Sequence, residues 1–118
     1  MGMMDPNCLF CRIIRGEIPS RKVYEDDQIL AFADINPVAP GHTLIVPKEH
    51  IASLNDLKPE QSEVIGKIML LVRDLAEKGG FAAKGYRVVA NTNSHGGQTV
   101  FHLHFHLLSG RAMGWPPG

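Results

Sequence analysis

The sequence is poor in most features that would assign a simple role to a chain of this size. It has two cysteines in 118 residues, too few for a disulfide framework. Neither sign of charge is in surplus, since twelve Lys and Arg balance twelve Asp and Glu. A protein that grips nucleic-acid backbones or an anionic membrane through charge needs a basic excess. Apolar runs stop at five residues, as in Ile68–Val72, where a bilayer span needs about 20. Met1 to Pro6 contains no basic segment followed by an apolar stretch, so no secretory signal is read there. Pro6 also stands where N-myristoylation needs Ser or Thr. No internal repeat or low-complexity tract divides the chain. These absences predict one domain, spanning 8–118 behind a flexible segment 1–7, in a cytoplasmic protein that does not bind nucleic acid or membrane. The 44% hydrophobic content is enough for a core.

The chain does carry clear periodicity. Leu9 with Ile13 and Phe10 with Ile14 predict a short helix over 8–15, ended by Gly16. Residues 22–25 and 28–32 read as strands of a hairpin around Asp26-Asp27, and 43–46 as a buried strand between Gly41 and Pro47. A long helix begins with Pro59 in its first turn. It repeats Val64, Ile68, Leu71, Val72 and Leu75 at helical spacing and stops at Gly79-Gly80. Two further strands are predicted over 86–90 and 100–108. This order predicts an α+β domain with an antiparallel sheet of about five strands and its helices against one face.

The most informative segment is Val100-Phe101-His102-Leu103-His104-Phe105-His106-Leu107-Leu108. Three of the six histidines fall within five residues, a density that chance explains poorly. If the segment is a strand, its side chains alternate. Phe101, Leu103, Phe105 and Leu107 then enter the core, and the three imidazoles form a row on the other face. A solvated strand face gains nothing from such a row. Adjacent rows stand about 6.6 Å apart along a strand, so three histidines on one straight strand cannot share a metal with bonds of about 2 Å. Catalysis fits better, because imidazole is both a nucleophile and a proton carrier near neutral pH. The preceding loop, Ser94-His95-Gly96-Gly97-Gln98-Thr99, adds backbone N–H groups and uncharged side-chain donors of the kind that hold a phosphate.

His102-Leu103-His104-Phe105-His106-Leu107-Leu108 resembles the motif of the histidine-triad (HIT) superfamily. Ile13 to Pro19, Phe32 to Pro37, Gly41 to Lys48, Gly97 to Phe101 and Trp115-Pro116-Pro117-Gly118 resemble its Hint branch, the histidine-triad nucleotide-binding proteins. The resemblance implies a HIT-like fold and a homodimer. It implies hydrolysis of purine nucleoside phosphoramidates through a nucleotidyl-histidine intermediate. His104 is then the nucleophile, His106 contacts the phosphate and leaving group, and His102 and His42 support the ring orientations. Gly97, Gln98, Thr99 and Asn91 match the phosphate side of the site, with Thr99 where the family more often has Ser. Asp34 matches the acid that binds ribose. Phe10, Ile13, Phe32, Ile35 and Leu44 match the base pocket. Read without the family, His42 is a structural histidine and Asp34 a turn residue. A dinucleoside polyphosphate hydrolase and a nucleotide-sensing interaction protein are the alternatives. The Trp115-Pro116-Pro117-Gly118 tail argues against the first, and the retained phosphate loop against the second.

Cys8-x-x-Cys11 leaves three readings: a redox pair, two buried thiols, or two ligands of a tetrahedral zinc. No strand precedes the pair, which disfavours the first. Some triad proteins complete such a pair with two histidines, and His50 and His102 stand at those positions. The implied zinc is structural, with no cofactor needed for catalysis.

Overall fold

The computed structural model describes residues 5–118. The expected helix near the start is α1, Leu9–Ile14, and the first hairpin is β1, Lys22–Glu25, with β2, Ile29–Ala33. β3 (Gly41–Pro47) follows, then the long helix α2 (Ser62–Lys78), β4 (Arg87–Val89), a single helical turn α3 (Asn93–Gly96) and β5 (Phe105–Ser109). The five strands form one antiparallel sheet in the order β1-β2-β3-β5-β4. Of the segment expected to be flexible, residues 1–4 lie outside the described residues. Asp5 to Asn7 form a turn, in which the Cys8 amide donates to the Asp5 carbonyl at 3.1 Å.

Three expectations change. Pro59 opens a separate 3-10 turn, Pro59–Gln61, ahead of α2. The predicted strand 100–108 joins the sheet only from Phe105. Before that point its backbone runs beside the segment after β3, where the Leu103 amide donates to the Ile51 carbonyl at 2.6 Å. The helices also do not share one face of the sheet. α2 lays Val64, Ile68, Leu71 and Val72 on Ile29, Ala31, Ile45, Leu103, Phe105 and Leu107. α1 lays Phe10, Cys11 and Ile13 on Leu30, Phe32, Leu44 and Val46 of the opposite face. The reason is visible in β2, whose Ile29-Leu30-Ala31-Phe32 run is buried at every position. Strands covered on both sides read as continuous apolar runs.

The alternation around β5 survives its irregular start. Residues directly opposite in an antiparallel pair share a face, and Leu44 stands opposite His106. Leu44, two residues from His42, belongs to the α1 side. The imidazoles of His42 and His106 are therefore placed on the α1 face, while Leu103, Phe105 and Leu107 fill the α2 side. Phe101 departs from this pattern and is exposed.

Candidate active site

Four histidines converge on the α1 face, and their hydrogen bonds fix which nitrogen of each ring bears the proton. A carbonyl oxygen can only accept and a backbone N–H can only donate. His104 Nδ1 lies 2.7 Å from the His102 carbonyl, so Nδ1 carries the proton and Nε2 keeps its lone pair. His102 Nε2 lies 2.7 Å from the Pro47 carbonyl, so its Nδ1 is the bare nitrogen. The Val38 amide donates to His42 Nδ1 at 3.1 Å, which places the His42 proton on Nε2. That proton points to His106 Nδ1 at 2.9 Å, leaving His106 to present an N–H from Nε2. Asp34 Oδ2 is 3.4 Å from the same His42 nitrogen, while Asp34 Oδ1 accepts from the Asn36 amide at 2.8 Å.

Burial sets the charge of this group. His102 is fully buried and His104 nearly so. Desolvation disfavours the imidazolium, and it lowers His102 to about 4 even against the Pro47 carbonyl bond. Burial, then the neighbouring His104 and His42, bring His106 to about 4. Burial also lowers His104, against opposing pulls from the His102 carbonyl and Asp34. The sequence reading of a row of imidazoles titrating near neutrality is thus corrected: in the folded chain these three rings are neutral at pH 7.

The remaining sequence-derived residues divide into two groups. Phe10, Ile13, Phe32 and Leu44 come together in one buried cluster. Phe10 presents its edge to His104 with ring centroids 5.0 Å apart and to Phe32 at 5.5 Å. Ile35 stands apart, 89% exposed. On the phosphate side, Gly97 closes α3 in the left-handed conformation, φ 82°. A side chain would strain this conformation. Gln98 is buried, and its amide nitrogen donates to the carbonyls of Ala52 at 2.8 Å and Val100 at 3.1 Å. Its oxygen accepts from the Asn93 amide at 3.0 Å. Both of its N–H donors are committed to bracing the loop. Thr99 is exposed and Asn91 half-buried.

A second constellation adjoins the first. The sulfur and Nδ1 atoms of Cys8, Cys11, His50 and His102 all lie within 4.8 Å of one another. Cys8 Sγ is 3.3 Å from His102 Nδ1, and Cys11 Sγ is 3.3 Å from His50 Nδ1. Zn–S bonds of about 2.3 Å and Zn–N bonds of about 2.0 Å in a tetrahedron require S···N spacings of about 3.5 Å, so the donor set fits zinc. Burial pushes the Cys11 thiol up to about 11, a cost that a cation among the sulfurs would offset. Asp34, His42 and His106 also cluster tightly. There the Val38 amide already occupies His42 Nδ1, so ligation through Nε2 would require an imidazolate.

Sequence reasoning missed Val38 and Pro47, which meet His42 and His102 through backbone atoms, and Arg111, whose guanidinium meets the Val38 carbonyl. No residue-type signal marks such contacts.

The fold and the histidine cluster define a histidine-triad protein. A match to the HIT domain family spans residues 15–113, and the chain belongs to that family. It is 49% identical over 115 residues to an uncharacterised HIT-like protein of Synechococcus elongatus, covering 98% of this chain and 100% of that one. It is 47% identical to the purine nucleoside phosphoramidase of Escherichia coli K12, covering 94% of this chain and 93% of the relative. Among solved structures, a HIT family hydrolase of Legionella pneumophila superposes with a TM-score of 0.93 at 54% identity, covering 95% and 100% of the two chains. A histidine triad protein of Clostridium difficile gives 0.92 at 47%, covering 95% and 97%. No described helix is long and apolar enough to cross a membrane.

Proposed function

We propose that this protein hydrolyses purine nucleoside phosphoramidates, cleaving the P–N bond through a nucleotidyl intermediate on His104. The observation that carries the reading is the state of His104. Its Nδ1–H is tied to the His102 carbonyl, which leaves Nε2 as a neutral, oriented lone pair. A neutral imidazole attacks phosphorus without first losing a proton. In the first step the Nε2–P bond forms and the P–N bond breaks. The electron pair stays on nitrogen, which takes a proton from a water molecule and departs as an amine. The hydroxide left by that water attacks the same phosphorus, and the electron pair of the broken Nε2–P bond returns to His104.

His106 presents its Nε2–H toward the phosphoryl oxygens or the departing nitrogen. Gly97 and Thr99 hold the phosphate together with Asn91, while Gln98 shapes the loop. Asp34 binds the ribose hydroxyls, and Phe10, Ile13, Phe32, Ile35 and Leu44 receive the base. An apolar slot of this kind selects ring shape, so both adenine and guanine nucleotides are substrates. The relative named a purine nucleoside phosphoramidase, at 47% identity, supports the same choice.

Cys8, Cys11, His50 and His102 would hold a structural zinc. Bound there, zinc would add rigidity to the His102 segment that carries the His104 bond, a structural role apart from the bond breaking. The protein is cytoplasmic, in keeping with its two free thiols, and a homodimer. The outer edge of β4 and the exposed Met69 and Leu70 of α2 are surfaces on which a second copy can pair.

The reading is tested by quenching the enzyme during turnover of adenosine 5'-phosphoramidate and mapping the adduct by mass spectrometry. A nucleotidyl group on His104 is expected. An adduct on another residue, or turnover without any adduct in a burst experiment, overturns it.

A further inference from the structure

The loop between β2 and β3 keeps one bond to the sheet, from the Asp34 amide to the His42 carbonyl at 3.0 Å, and its Val38 amide meets the histidine pair. The last register pair of β3 and β5 is Gly41 with Ser109. Beyond it both segments leave the sheet in contact. Gly110 adopts φ +93°, and a Cβ there would lie 2.8 Å from Pro40 Cβ. One residue later Arg111 reaches back across the loop. Its Nε and Nη2 donate to the Val38 carbonyl at 3.2 and 3.0 Å. The N–H of the same residue, Val38, donates to His42 Nδ1.

We propose that Arg111 is a positioning residue: by holding the Val38 carbonyl it fixes the Val38 N–H on His42, and through His42 it fixes which nitrogen of His106 bears the proton. The physical basis is one-way donation. An amide N–H only donates, so with Val38 in place His42 has a single neutral tautomer, and His106 Nδ1 must accept. If the loop drifts, water takes the place of the amide. Water accepts as readily as it donates, so both tautomers of His42 become available and His106 loses its fixed Nε2–H. Arg is suited to the task because its planar fork places two donors on one acceptor region, which a Lys ammonium does less rigidly. In its catalytic consequence this inference rests on the hydrolase reading above; its structural part stands alone.

The test uses the full chain labelled with 15N at histidine, observed by long-range 1H–15N correlation, which separates bare from protonated ring nitrogens. In the wild type, His42 and His106 should each show a bare Nδ1 and a protonated Nε2. Arg111→Met keeps the aliphatic stem without donors, and should move His42 Nδ1 toward an averaged, mixed-tautomer position. Its kcat on a phosphoramidate with a poorly departing amine should fall by roughly 10-fold, a fraction of the about 10²–10⁴-fold carried by general acid–base groups. KM should stay within about twofold, since no substrate contact is removed. Arg111→Lys, with an ammonium that holds the carbonyl less rigidly, should recover part of both signals.

Arg87→Met is the control for general disorder of the tail, because Arg87 holds the Gly114 carbonyl at 2.8 Å without touching Val38. It should leave the histidine signals in place. The inference is overturned if Arg111→Met leaves them at wild-type positions, if Arg111→Lys restores no part of them, or if Arg87→Met shifts them equally. If the wild-type enzyme does not turn over phosphoramidates at all, the functional reading fails while the NMR result still decides the role of Arg111.

Discussion

The two faces of the sheet are built from neighbouring residues of the same strands, yet they differ in nearly every physical respect. The α2 face is an apolar layer in which Ile68, Ile45 and Leu103 are almost fully buried and the clustered side chains carry no titratable group. The α1 face buries two thiols and the imidazoles of His42, His102 and His104, with His106 half-buried beside them, and each buried polar atom there has a partner. Leu103, Phe105 and Leu107 go one way and His102, His104 and His106 the other. The difference teaches a division of labour. One face makes the sheet stable enough for the other to hold imidazoles that stay neutral at acid pH values where exposed rings would take up a proton. Burying polar groups is tolerated only when they are paired.

The sharpest way to break this contrast is to exchange damage between the faces. His104→Ala should lower phosphoramidate turnover by about 10⁴-fold or more, because no neighbouring group can replace a removed nucleophile. Ile68→Ala should do the converse. It leaves a void under a fully buried side chain and should cost about 2–5 kcal/mol in chemical denaturation, with turnover per folded molecule unchanged. If Ile68→Ala abolished turnover in fully folded protein, the two faces would not be separable.

A smaller effect is expected at the boundary of the α1 face. Purified without chelator, the protein should carry about one zinc per chain, and Cys8→Ser should lower both the metal content and the Tm, since metal binding is coupled to folding. Metal-free protein of unchanged Tm would leave the cysteines as buried thiols.

The smallest effect concerns acid. The folded pKa of His106 is brought down to about 4, below the free value of about 6.5. Above pH 6.5 the ring is neutral in both folded and unfolded chains, and stability does not depend on it. Between pH 6.5 and about 4 the unfolded chain takes up a proton that the folded chain refuses, so stability falls as pH falls. Discounted for the partial exposure of the ring, the loss is about 1–2 kcal/mol. Denaturation curves at pH 7.5, 6 and 5 should show it, and His106→Gln should make the slope shallower, with the buried His102 and His104 carrying the remainder. An unchanged slope in that variant would assign the acid sensitivity elsewhere.

Much of this was legible in the sequence. The sheet strands, the long helix and the histidine alternation follow from period-2 and period-3.6 patterns, because burial of one face imposes them. Cover on both sides was written in the unbroken Ile29–Phe32 run, and was missed because strand order alone was weighed. The late start of β5 was not legible, since His102 and Leu103 are held by the carbonyl of Pro47 and the carbonyl of Ile51, and any residue offers a carbonyl. The approach of His42 to His106 depends on a strand register 64 positions apart, which no local pattern encodes. Gln98 shows the limit of a motif: its place was found, but only the geometry reveals that its amide is spent within the loop.

The long reach of these contacts has a kinetic consequence. His42 meets His106 across 64 positions and Cys8 meets His102 across 94, so the site is closed by encounters between segments far apart in the chain. Such encounters are slow because loop entropy must be lost before contact energy is gained. The hairpin β1-β2 and the helix α2 can form from neighbours, but no fragment made of them contains a placed imidazole. The paired imidazoles are therefore assembled only once segments far apart in the chain have met.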